Sequence, residues 1–183
     1  MRPFDAIVLA GGGSTRLGTD KTRLLVDGRS VLERVLAAVA AADRRIVVGA
    51  EQPDLRASPL QWLREDPPGS GPANGVACAL GQVRAPVVVV LAGDLPYVDA
   101  HTVRRLLTGM DTAAVVLRDS GGRAQWLTAA VRTTALHDHL ATRTDWVNAS
   151  MRSLLEPLAP AFVDARGDET HDIDTPDDIP SQP

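Results

Sequence analysis

Three stretches of this sequence hold residues able to act together on a phosphate. Gly11, Gly12 and Gly13 close an apolar run in "VLAGGGSTRLGTDK", and Arg16 and Lys21 follow within ten residues. Asp94 comes just after a run of valines in "PVVVVLAGDLP". Asp66 lies in "REDPPGSGPANG", and Asp172, Asp174, Asp177 and Asp178 crowd "HDIDTPDDI". Glycines let a backbone approach an anion and adopt positive φ. Successive N–H groups then form a concave anion site. Arg16 adds a fork matched to phosphate oxygens and Lys21 a point charge. Two cations beside a glycine loop suit the charge that develops on a departing pyrophosphate. The plainer alternative is a tight strand-to-helix turn with solvated basic residues.

The loop fits neither common phosphate fingerprint. A dinucleotide fold would need glycine where Arg16 stands, and a Walker loop would need lysine where Thr19 follows Gly18. Asp94 falls past the end of a buried strand, where an isolated carboxylate is costly unless it binds something. A magnesium ion bridging substrate phosphates is its natural partner. Asp174, or else Asp172, is a candidate second ligand. Asp177 and Asp178 suit the first turn of a helix opened by Thr175-Pro176. Asp66 is a candidate acceptor for a base or ribose edge, or else a turn aspartate before proline.

Elements must carry these residues to one place. Ala6–Ala10, Arg45–Gly49 and the valine run read as strands buried on both faces. Ser30 with Glu33 is a capping-box pattern for a helix running to Ala42. Gly71-Pro72 opens another helix, and a third spans His101–Leu107. "TAAVVLRDSGGRAQWLTAAV" reads as two strands around a Gly-Gly turn. Helices are expected over Thr133–Leu140 and Trp146–Leu158, with a short strand at Ala161–Val163. The alternation predicts a three-layer α/β/α, Rossmann-like domain over residues 1–179, with residues 180–183 a short tail. Its sheet is mostly parallel with an antiparallel strand. Ligands in such sheets bind beyond the carboxyl ends of the strands.

Composition sets bounds. The chain has 183 residues, 44% hydrophobic and 23% charged, so it can bury one sizeable core. A net charge of −4 argues against nucleic acid or an acidic membrane as the main partner. The lone Cys78 excludes an internal disulfide, fits a reducing cytoplasm, and is expected in the core. The N-terminal apolar run is too short for a signal sequence, and no run approaches a transmembrane span. His101, His137, His139 and His171 lack the spacing of a zinc site. Trp62 and Trp146 read as packing, and Trp126 as a residue near the ligand edge.

Taken in order, "LAGGGSTRLGTDK", "EDPPGSGPANG", "AGDLP" and "DIDTPDD" resemble the motifs of the molybdenum cofactor guanylyltransferases. The resemblance runs from Ile7 to about Asp178. "LAGG" with "DK" is similar to the guanylyl enzymes, whereas cytidylyl relatives more often carry "LAAG" and "PK". It implies transfer of GMP from GTP to molybdopterin, with magnesium as cofactor. It also implies molybdoenzymes or cofactor-biosynthesis proteins as partners. Leu9, Ala10, Gly11 and Gly12 would contact GTP, Lys21 its phosphates, and Asp66 the nucleoside. Asp94 would contact both GTP and magnesium. One departure is Gly49, where some members carry asparagine. A cytidylyl or sugar-phosphate nucleotidyltransferase is the alternative in the same class. A dinucleotide-binding oxidoreductase lacks its third glycine, and a non-catalytic nucleotide sensor would not need Asp94 and Lys21 together.

Overall fold

The computed structural model describes residues 2–11, 20–55 and 59–171. At its centre lie β1 (Phe4–Leu9) and β6 (Val87–Ala92), parallel and in register from Phe4 opposite Val87 to Leu9 opposite Ala92. Valine-rich strands suit a sheet covered on both faces, and every residue of β6 is buried. β4 (Arg45–Val48) and β5 (Gln61–Leu63) extend the parallel sheet on one side. On the other, β8 (Ala124–Arg132) runs antiparallel to β6 and to β7 (Ala114–Arg118). β9 (Ala161–Asp164) adds a parallel edge beside β7. The strand order is β5-β4-β1-β6-β8-β7-β9, with β8 the reversed strand that the Gly-Gly turn predicts.

Alternation along the strands divides the core in two. Phe4, Ala6 and Val8 join Leu32 and Leu36 of α1 (Val31–Ala38) and Leu106 of α3 (Ala100–Thr108). Ile7 joins Val76 of α2 (Pro72–Leu80), Leu136 of α4 (Thr133–Leu140) and Leu154 of α5 (Met151–Leu155). The result is the expected three-layer α/β/α arrangement.

Local signals explain most boundaries. The Ser30–Glu33 capping box forms: Glu33 N–H donates to Ser30 Oγ at 3.2 Å and Ser30 N–H to Glu33 Oε2 at 2.9 Å. α1 nevertheless ends at Ala38, short of Ala42. Pro72 opens α2 as expected, and Asp99 caps α3.

Two further expectations need correcting, and one element was not expected. The helix expected over Trp146–Leu158 is α5 alone, continued by a 3-10 turn over Glu156–Leu158. Asn148 takes a left-handed φ of 57° and Ser150 caps α5, so the chain before it is not helical. Trp146 is buried there, as a packing residue should be, and donates its indole N–H to Leu140 O at 3.0 Å. Cys78 lies on α2 but is exposed rather than in the core, because its face of the helix points away from the sheet. The unforeseen element is the small hairpin of β2 (Leu25–Val26) and β3 (Arg29–Ser30), turned by Asp27-Gly28 at positive φ. Asp-Gly between short apolar runs is a hairpin signal.

Candidate nucleotide site

Parallel strands end together at one edge, and there five of the candidate residues meet. The ends of four strands are laced by backbone hydrogen bonds: Ala10 N–H to Val48 O at 2.8 Å, Gly49 N–H to Leu63 O at 2.8 Å, and Gly93 N–H to Leu9 O at 2.9 Å. Two of these crossings need glycine. A β-carbon on Gly93 would stand 3.0 Å from Leu9 O. A β-carbon on Gly49, whose φ is +153°, would stand 2.8 Å from the Ala10 carbonyl carbon. The asparagine that resembling enzymes carry at Gly49 therefore has no room here.

Beyond this edge lies a cavity of about 230 Å³. Leu9, Ala10 and Gly11 from the end of β1 line it, with Lys21 and Asp94. Asp20, Thr22, Pro72, Ala92 and Leu127 complete the lining. Five predicted residues are thus brought together. Gly12, Arg16, Asp172 and Asp174 lie outside the described residues. Asp66 is exposed and is not part of this lining, and its carbonyl accepts from Asn74 Nδ2 at 3.1 Å.

Lys21 is held by a network that sequence reading missed. It opens a 3-10 turn, Lys21–Arg23, capped by Asp20. Asp20 Oδ1 accepts from Thr22 N–H at 3.0 Å and from the Thr22 hydroxyl at 2.6 Å. Buried Gln52, arriving after β4, donates to Thr22 Oγ1 at 2.7 Å. Nothing in "AEQPDL" signals this role, because the partners are 30 residues apart.

Glu65 was also missed, although it adjoins Asp66. It is 9% exposed. Its Oε1 accepts Gly69 N–H at 3.0 Å, while buried Oε2 has no hydrogen-bond partner among the described residues. The carboxylate lies over Gly11, at 3.4 and 3.6 Å from where that residue's β-carbon would be.

The C-terminal acidic motif is approached through a second network. Glu169 accepts from Arg105 at 2.8 and 2.5 Å, from Thr102 at 2.7 Å and from Arg166 N–H at 2.8 Å. Burial disfavours its charge, but these hydrogen bonds outweigh that and hold its carboxyl below the ordinary value. His171 meets Tyr97 edge-on, ring centroids 6.0 Å apart. Tyr97 belongs to the loop of Asp94, so the chain at His171 lies against that loop.

The donor set suits a hard cation. Among the described residues no three His, Cys, Asp or Glu side chains converge. Magnesium needs only one or two carboxylates beside substrate phosphates, and Asp94 supplies carboxylate oxygens. Trp126 lines a separate hollow with Arg123, Arg152 and Phe162, and its neighbour Leu127 reaches the candidate site instead. No helix among the described residues is long and apolar enough to cross a membrane.

Comparison with known proteins shows the family and the fold. The MobA-like NTP transferase domain matches residues 6–162. A probable molybdenum cofactor guanylyltransferase of Synechococcus elongatus is 38% identical over 99 residues, 51% of each chain. The chain spans about half the length of the curated relatives it matches. The crystal structure of Rv0371c from Mycobacterium tuberculosis superposes with a TM-score of 0.79 at 24% identity, covering 97% of this chain and 95% of that one. Molybdopterin-guanine dinucleotide biosynthesis protein A from Archaeoglobus fulgidus superposes with a TM-score of 0.72 at 20% identity, over 96% and 94%.

Proposed function

The chain belongs to the MobA-like NTP transferase family, and from that premise we propose that it transfers GMP from GTP to the terminal phosphate of molybdopterin. Pyrophosphate leaves and the guanine dinucleotide form of the cofactor results. The observation that carries this reading is the convergence of Lys21, Asp94 and the Leu9–Gly11 strand end on one cavity. Those are a cation, a carboxylate and close-approach backbone, the three things a nucleoside triphosphate requires.

The acceptor phosphate attacks the α-phosphorus, forming one P–O bond as the bond to pyrophosphate breaks. A phosphate monoester is mostly a dianion at neutral pH, its second pKa being about 6. No protein base is needed, and positioning and charge neutralisation carry the rate. Leu9, Ala10, Gly11 and Gly12 receive the nucleotide. Lys21 and Arg16 meet the charge that develops on pyrophosphate. Asp66, exposed one residue after Glu65, takes the ribose. Asp94 and Asp174 would hold magnesium, which supplies charge neutralisation and orientation of the phosphates. The Asp20–Thr22–Gln52 network keeps Lys21 in place.

The test is pyrophosphate release from GTP and from CTP, each with and without a molybdopterin-type acceptor. Release that needs GTP and acceptor together supports the reading. A preference for CTP, or release driven by a sugar phosphate, replaces it with the corresponding nucleotidyltransferase.

A further inference from the structure

Four buried polar side-chain atoms among the described residues lack a hydrogen-bond partner: Asp5 Oδ1, Glu65 Oε2, Arg105 Nε and His139 Nε2. Three are explained by their surroundings. Asp5 sits near the amino end of β1, where its other oxygen accepts Arg84 and Ala85 N–H groups at 2.6 and 2.9 Å. Arg105 is gripped by Glu169 through its other nitrogens. His139 packs edge-on against Trp146. Glu65 alone lies at the carboxyl edge of the sheet, two residues past β5, with its carboxylate over Gly11 of the candidate site.

Leaving a buried carboxylate oxygen unpaired is costly. A ligand that pairs it must bring a donor, since a carboxylate only accepts. Phosphate oxygens are repelled, and so are the acceptor edges of bases. Guanine presents two adjacent donors, N1–H and the 2-amino group. Cytosine and adenine each place an amino donor beside an acceptor nitrogen. Gly49 cannot contribute a side chain to the base, because its backbone rests on Ala10. Glu65 is the acidic group that reaches that region from the neighbouring strand end. Its bond to Gly69 N–H also fixes the 66–71 loop in front of α2.

We infer that the Glu65 carboxylate is the specificity-determining acceptor for guanine, with Oε2 taking the 2-amino group. This rests on the nucleotide assignment proposed above, and it gives Glu65 rather than Asp66 the reading of the base. Asp66, exposed one residue on, is left with the ribose.

Inosine triphosphate differs from GTP only in lacking the 2-amino group. With magnesium present, calorimetric titration of the wild-type chain should give GTP at least about tenfold tighter than inosine triphosphate, as expected for a charge-assisted hydrogen bond. Glu65→Gln keeps an oxygen for Gly69 N–H but then turns its NH2 group, a donor only, toward the base. It should bring the GTP to inosine triphosphate ratio to within about threefold. Asp66→Asn should leave that ratio as it is, because both ligands carry the same ribose. Melting temperatures report whether each variant is folded. An undiminished ratio in folded Glu65→Gln overturns the assignment while leaving GTP as substrate. Should that variant fail to fold, the wild-type ratio decides, and equal binding of the two ligands overturns it. A wild type that prefers CTP to GTP removes the guanylyl reading and this inference with it.

Discussion

The backbone of Gly49 rests on that of Ala10: a β-carbon at Gly49 would lie 2.8 Å from the Ala10 carbonyl carbon and 3.0 Å from its oxygen. The end of β4 therefore sets the path of the chain entering the glycine loop. Any side chain at position 49 forces the two strand ends apart. It also forces an L-residue into positive φ, at a cost of roughly 1–3 kcal/mol before any clash is counted. Gly49→Ala and Gly49→Asn should both lower the melting temperature by several degrees and weaken GTP binding. If Gly49→Asn melts normally and binds GTP more tightly, the position is open to a base-reading side chain and the packing account is wrong.

Asp94 stands past a strand buried along its whole length and lines the cavity beside Lys21. Asp94→Asn keeps the shape and removes the charge that a magnesium ion needs. Turnover should fall by at least about a hundredfold, two powers of ten being about 2.7 kcal/mol, with an unchanged melting temperature. Near-normal turnover at saturating magnesium would show that Asp94 is not a metal ligand.

Lys21 lines the cavity, whereas Arg64 is exposed outside it. Removing a charge-assisted hydrogen bond from the transition state costs roughly 1.5–3 kcal/mol. Lys21→Ala should therefore slow transfer about ten- to a hundredfold, with Arg64→Ala changing it less than about twofold. Equal small losses would make Lys21 a solvated residue with no part in the chemistry.

Gln52 reaches the turn that carries Lys21 through Thr22 and Asp20. Gln52→Leu should lower kcat several-fold with little change in KM, since the turn loosens but the cavity stays. On a Lys21→Ala background the same change should cost almost nothing further, because both act on one interaction. Additive losses in the double variant would mean that Gln52 contributes independently of Lys21.

Although burial disfavours its charge, the Glu169 carboxyl is held below its ordinary value of 4.5 by Arg105, Arg166 and Thr102. A group depressed on folding contributes stability above its unfolded value and loses it as pH falls through the folded one. The native chain should thus lose stability from about pH 4.5 downward as this network protonates. Removing one partner of a buried ion pair costs about 3–5 kcal/mol, so Glu169→Ala should melt lower near neutrality and show a shallower acid decline. Parallel melting curves for the two proteins between pH 3 and pH 7 would exclude Glu169 from the acid transition.

Much of this molecule is legible in the order of its residues, because the relevant signals are local. Four valines without a polar interruption demand a strand covered on both faces, and β6 is that strand. Ser30 with Glu33, Pro72 after glycine, and Gly121-Gly122 each act within a few residues, and each marks its boundary. Glycines after one strand with Lys21 close by, and an aspartate after another, point to the sheet's carboxyl edge, where Gly11, Lys21 and Asp94 line one cavity. Folding decided what depends on chain segments far apart. Which of two adjacent acids turns inward, Glu65 or Asp66, is set by the alternation past β5 and by the close approach of Gly11, not by "RED" itself. Why position 49 must be glycine is visible only when β4 lies on β1. That Gln52 steadies Lys21, and that His171 meets Tyr97, follows from a packed sheet edge. Pairings across 30 or 70 residues leave no periodicity in a sequence, because they cost loop entropy to form and only the folded core sets which of them exist.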